Sequence, residues 1–224
     1  MTSHALATPS NRTLLLRRRI RWIVAATITY NAIEAVVAII AGSIASSAAL
    51  VGFGLDSIVE VLSAAAIAWQ FTARDPETRE KTALRVIAVS FFALAIYVTI
   101  DATLSLTGVR TVEPSTIGII LTALSLVIMP ALSFAERRTG QELGSASAIA
   151  DSKQTLICAY LSGAVLIGLL LNALFGWSWA DPIAALVVVI FAVKEGIEAW
   201  KGDSCTVPVS VLTGEREPED DDHH

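Results

Sequence analysis

The chain has 224 residues, of which 54% are hydrophobic and 17% charged, with a mean hydropathy of +0.64. Soluble domains have about 45–50% apolar residues on a similar count, so this composition excludes an ordinary soluble domain and indicates an integral protein of the lipid bilayer. The net charge of −5 comes largely from acidic residues near the C-terminus. The arginines flank apolar blocks, and this pattern gives no support to nucleic-acid binding.

Six continuous apolar runs follow one another, each long enough to cross a bilayer as a helix. Because the runs are continuous and not alternating, they favour helices over a β-barrel. The sequence therefore predicts an all-α membrane protein with six transmembrane helices. A basic lead (residues 1–19) precedes them, a polar loop is expected at 135–145, and a disordered acidic tail (201–224) follows. The predicted spans are residues 20–41, 46–69, 83–107, 116–134, 146–174 and 181–200.

The distribution of lysine and arginine predicts the orientation of the spans. Basic residues concentrate in the lead, in the second and fourth interspan loops and at the end of the sixth span, whereas the opposite side has Arg110 alone. Both termini are therefore expected in the cytoplasm. The protein is predicted to be a multi-pass protein of the plasma or inner membrane.

The second span carries Asp56 and Glu60 near its middle. Residues at i and i+4 share one face of a helix, about one turn apart. A carboxylate in the hydrocarbon region costs several kcal/mol (about 3 on insertion scales) unless it is paired, protonated or bound to a cation. Two such groups on one face predict a site for a metal ion in transit.

The fifth span carries a second polar pair, Gln154 and Cys158, with the same spacing and a comparable depth. Facing helices would bring both pairs into one four-cornered pocket. Two carboxylates, a thiolate and an amide oxygen suit a divalent cation, and the thiolate favours zinc over magnesium. Cys158 could instead pack as a small apolar residue, and Gln154 could instead join two helices by a hydrogen bond.

Other polar residues in the spans are candidates for accessory roles. Asn31 and Glu34 lie in the first span, where Glu34 could relay protons or pair with Lys153. Asp151 lies near the cytoplasmic end of the fifth span, where it could line a vestibule or form a snorkelling pair with Lys153. Asp181 is interpreted as a helix-starting acid, since acids favour the first turn.

Small residues predict where helices approach closely. Gly52 and Gly54 in the second span, and Ser162 and Gly163 in the fifth, are expected to let these two spans pack tightly.

Two long stretches carry a family resemblance. AGSIASSAALVGFGLDSIVEVLSAAAIAW resembles spans one to two of the cation diffusion facilitator transporters, in which a D-x-x-x-D pair matches Asp56 and Glu60 here. IADSKQTLICAYLSGAVLIGLLLNALFGWSWADPIAALVVV resembles their spans five and six. In metal-exporting members span five usually offers His or Asp and then Asp, where this chain has Gln154 and Cys158. Most members continue into a cytoplasmic metal-binding domain, for which residues 201–224 are too short, so the resemblance implies the transmembrane part alone.

The resemblance implies a cation-efflux domain over residues 20–200 that exports a divalent metal in exchange for protons, with homodimerisation as a family property. Zinc is the expected metal, with cadmium, iron, cobalt and manganese as further candidates. No cofactor is expected. Enzymatic activity is not expected either, since the 3 histidines all lie in terminal segments. The alternative is a non-transporting membrane scaffold or subunit, motivated by the changed residues in span five.

Overall fold

The computed structural model describes residues 11–70, 77–109, 111–143 and 146–201. These residues form six helices and no strand, which confirms the predicted all-α fold class. Five of the helices, α1 to α5, are long and apolar enough to cross a membrane. The orientation of the termini stays a prediction. The helices are α1 (Asn11–Ala45), α2 (Ala48–Gln70), α3 (Glu77–Leu106), α4 (Thr116–Leu143), α5 (Ala146–Phe175) and α6 (Ala180–Lys201).

All the helices except α2 are longer than the predicted spans. α1 begins at Asn11, so part of the basic lead is helical, while the residues before it and the acidic tail after Lys201 lie outside the described part. The prediction of a polar loop at 135–145 was wrong for residues 135–143, because α4 continues to Leu143. Most residues of that extension are good helix formers, and its exposed face carries an Arg138–Glu142 ion pair with a 3.6 Å Nε–Oε1 distance.

The turn between α1 and α2 is very short. Ser46 takes the left-handed backbone conformation (φ 52°), and the amide of Ser47 donates to the carbonyl of Gly42 at 2.9 Å. α2 therefore folds back directly along α1. It is the most buried of the five candidate spans and also contacts α3, α6 and, more sparsely, α5.

The remaining helices pair off around α2. α3 packs along α6, and α4 along α5. The core contains Phe53 from α2, Val98 from α3 and Leu169 from α5. Large apolar side chains such as Ile33 and Val127 are exposed on the outer faces, as a lipid environment requires. The core and the outer surface are both apolar. A polar side chain buried in such surroundings is costly and therefore indicates a function or a specific contact.

The glycines of α2 and α5 do not join those two helices, so the prediction was wrong for Gly52, Gly54 and Gly163. A Cβ added at Gly52 would lie 3.1 Å from Val98 in α3, and one at Gly54 would lie 2.9 Å from Ala38 in α1. Gly163 faces Leu126 in α4. The reason is that small residues permit a close approach to any helix, and the pattern alone does not name the partner.

Candidate metal centre

Three of the four predicted metal ligands come together in the structure. One oxygen from each of Asp56 and Glu60 in α2 and the sulfur of Cys158 in α5 all lie within 4.8 Å of one another. Asp56 and Cys158 are buried, and Glu60 is half-buried. Ligand atoms around a tetrahedral zinc ion are about 3.5 Å apart, given metal–ligand bonds of about 2.0–2.3 Å. Small side-chain rotations would therefore suffice to close these three groups around an ion.

Hydrogen bonds hold Glu60 between two other helices. Cys158 Sγ donates to Glu60 Oε1 at 2.7 Å, and Asn31 Nδ2 in α1 donates to Glu60 Oε2 at 2.5 Å. Each carboxylate oxygen thus has a donor from a different helix. Because a metal takes Cys as the thiolate, binding an ion would remove the thiol proton from this hydrogen bond.

The fourth predicted ligand cannot be placed, because the side chain of Gln154 lies outside the described residues, as do those of Asp151 and Lys153. The backbone of α5 is helical at all three positions, so Gln154 lies one turn before Cys158. Its role as a ligand stays a prediction.

Glu34 is a further buried carboxylate beside the centre. It is 1% exposed and accepts hydrogen bonds from Ser57 in α2, at 3.0 Å, and from Ser125 in α4. Ser125 also exchanges a 2.7 Å hydrogen bond with the hydroxyl of Tyr30. Hydroxyl groups from two neighbouring helices therefore hold the carboxylate of Glu34. A proton relay and a pairing with Lys153 both stay predictions for this residue.

Sequence reasoning missed Glu136, which was assigned to the loop after the fourth span. In the structure this residue of α4 is fully buried. Its Oε1 accepts from Thr27 in α1 at 3.0 Å, and its Oε2 accepts from Thr155 in α5 at 2.9 Å. The neighbouring arginines made the segment look solvated, and only the tertiary contact with two threonines shows otherwise.

Glu136 lies close to the centre along two helices. Thr27 precedes Asn31 by four residues in α1, and Thr155 precedes Cys158 by three in α5, so each threonine lies about one turn away on the same helix face. Buried carboxylate contacts thus recur along the middle of α1, at Thr27, Asn31 and Glu34.

Asp181 has a wider role than starting its own helix. The carboxylate is fully buried and reaches across to the first turn of α2, where Oδ2 accepts from the amide of Ala49 at 3.2 Å. The hydroxyl of Ser47 donates to Oδ1. Asp181 therefore satisfies amides at the start of the helix that carries Asp56 and Glu60.

Comparison with known proteins agrees with this architecture. Residues 24–201 match the cation efflux transmembrane domain, and the chain therefore belongs to the cation efflux family. This confirms the resemblance to the cation diffusion facilitators and makes the chain a multi-pass membrane protein of a transporter family. The chain is also 24% identical over 181 residues to the cation-efflux pump FieF of Shewanella oneidensis, an alignment that covers 78% of this chain and 61% of that protein. It thus spans about three fifths of the length of that relative.

Proposed function

We propose that this protein exports a divalent metal cation, zinc in the first place, from the cytoplasm across the plasma membrane in exchange for protons. The supporting observation is the convergence of Asp56, Glu60 and Cys158 within 4.8 Å, midway along helices that cross the bilayer. Three groups that can each become anionic are unfavourable in an apolar interior without a cation. A metal ion supplies that positive charge.

The donor set favours a borderline or soft ion. A thiolate with two carboxylates suits zinc and cadmium, and cobalt, iron and manganese are competitors of decreasing affinity. Gln154 in α5 remains the predicted fourth ligand, with Glu34, Asn31 and Asp151 as accessory groups. No cofactor or enzymatic reaction is part of the proposal.

Proton exchange follows from the chemistry of these ligands. Metal binding requires a deprotonated thiol and carboxylates and therefore releases protons, whereas protonation of the same groups releases the metal. A centre that loads metal from the cytoplasm and takes up protons from the other side performs antiport by alternating access. A homodimer is proposed on the basis of the family.

The test is metal uptake into proteoliposomes under an imposed pH gradient, comparing zinc, cadmium, iron, cobalt and manganese. We expect transport by the unaltered protein and its loss in Asp56→Asn, which keeps the size of the side chain and removes its charge. Cys158→Ser should change the metal preference, and Cys205→Ser, which removes the chain's other cysteine, should not. If the unaltered protein moves no metal with the pH gradient imposed in either direction, that result would favour the membrane scaffold instead.

A further inference from the structure

The side chain of Asn31 has one polar atom that the fold leaves without a partner. Asn31 is 5% exposed, and its Nδ2 donates to Glu60. Its Oδ1 is buried and has no hydrogen-bond partner. Buried polar atoms are nearly always paired, since leaving one unpaired costs about 1–3 kcal/mol. An unpaired oxygen in an apolar membrane domain therefore points to a ligand.

The position of this oxygen connects it to the metal centre. The two terminal atoms of an amide are bonded to the same carbon, so Oδ1 lies next to the Nδ2 atom that contacts Glu60 at 2.5 Å. The torsion that orients a terminal amide is broad, which leaves the oxygen free to turn. Glu60 in turn contacts Cys158 at 2.7 Å. Asn31 and the three clustered ligands thus meet around one carboxylate.

We propose that Oδ1 of Asn31 binds the transported metal ion directly, together with Asp56, Glu60 and Cys158. This inference rests on the proposed function and adds a ligand from α1 to a centre otherwise made by α2 and α5. Zinc takes four ligands in a tetrahedral arrangement, and the amide oxygen completes that number with the described residues. It adds a neutral, hard ligand to a set that the thiolate makes softer.

A ligand in α1 has a mechanical consequence. The ion would link α1 to α2 and α5 at one point, and its departure would break that link while the hydrogen bond from Asn31 to Glu60 is remade. Binding of metal is then coupled to the relative positions of these helices. Gln154 in α5 would act as an alternative or additional ligand, and the experiment separates the two positions.

The test introduces a second thiolate at position 31 and reads it by cobalt absorption in the purified full-length chain. The intensity of the thiolate-to-cobalt charge-transfer band rises with the number of coordinating thiolates. In Asn31→Cys we expect a band about twice as intense as in the unaltered protein. Thr27→Cys, one turn away on α1, is the matched control and should leave the band unchanged. An unchanged band in Asn31→Cys at saturating cobalt would overturn the proposal.

A second pair of variants separates a ligand from a hydrogen-bond donor. Asn31→Asp keeps an oxygen at the position but cannot donate to Glu60, whereas Asn31→Leu removes both capacities. If the oxygen binds the ion, Asn31→Leu should weaken zinc binding about tenfold or more and Asn31→Asp should retain it. Equal weakening by both variants would contradict the proposal. Absence of any cobalt band in the unaltered protein would instead contradict the proposed function itself.

Discussion

Cys158 Sγ lies 2.7 Å from Glu60 Oε1, although α5, which carries the thiol, packs mainly against α4 and α6 and touches α2 only sparsely. The contact between the two side chains is therefore a local bridge and not part of an extensive helix interface. Such a bridge can open without disrupting a large packed surface. This property fits the proposed alternating access, in which the centre faces each side of the membrane in turn.

The thiol should set the metal preference of the centre. In Cys158→Ser the hydroxyl can donate to Glu60 as the thiol does, so we expect the fold to be kept. A neutral oxygen is a harder ligand than a thiolate. The ratio of cadmium to manganese affinity should fall by about tenfold or more, measured by competition binding to the purified protein. Cys158→Ala is the control, since it should weaken both metals, and an unchanged ratio in Cys158→Ser would exclude the sulfur from the centre.

The sequence predicted the number of helices and the meeting of Asp56, Glu60 and Cys158 for clear physical reasons. Charged groups such as Asp56 and Glu60 are so costly in a bilayer that their mere presence in an apolar run indicates a site. Spacing by one turn placed Asp56 and Glu60 on one helix face. The same spacing between Gln154 and Cys158, at a comparable depth, indicated that Cys158 belongs with them. These inferences depend only on the local sequence and on the physical properties of a bilayer.

Glu136 and Asn31 show what local sequence could not reveal. Glu136 follows a span and precedes two arginines, so its composition resembles a loop, and its burial depends on the meeting of three helices. Asn31 was named only as an accessory residue, because its unpaired oxygen is a property of the packed side chains. The predicted helix partner of Gly52 and Gly54 was wrong for the same reason, since the whole bundle determines which helices are neighbours.

Glu136 should stabilise the bundle to a modest extent. Interhelical hydrogen bonds in membranes contribute about 0.6 kcal/mol each on average, so the two threonine contacts together contribute about 1 kcal/mol. Glu136→Leu should lower the free energy of unfolding by about that amount. Glu136→Gln should remain near the unaltered protein, because an amide can accept from one threonine and donate to the other. Reversible unfolding in mixed micelles measures both, and a larger loss in the glutamine variant would mean that the negative charge itself is needed.

Asp181 should protect the first turn of α2. Replacing a side chain that caps a helix by alanine costs about 0.5–2 kcal/mol, and Asp181 accepts from the amide of Ala49 as well as from Ser47. In Asp181→Ala we expect faster hydrogen exchange of the amide of Ala49, with a lower melting temperature. Asp181→Asn keeps one carbonyl oxygen and should give an intermediate result. Unchanged exchange at Ala49 in the alanine variant would show that another group satisfies this amide.

Gly54 and Gly163 should respond differently to substitution by alanine. A Cβ at Gly54 would lie 2.9 Å from the Cβ of Ala38 and 3.0 Å from the backbone nitrogen of Ile39, so α1 and α2 would have to separate. Overpacking of this kind costs about 1–3 kcal/mol. A Cβ at Gly163 would lie 3.5 Å from Leu126, which is an ordinary contact. Alanine is also more favourable than glycine inside a helix, by about 1 kcal/mol.

Thermal unfolding of the two variants in the same detergent provides the comparison. We expect a lower melting temperature for Gly54→Ala and an unchanged or higher one for Gly163→Ala. The two substitutions have the same chemistry and both lie inside helices, so the difference isolates the space available at each position. An unchanged or raised melting temperature in Gly54→Ala would mean that α1 and α2 can move apart at little cost. That result would contradict tight packing of α2 against α1 at this position.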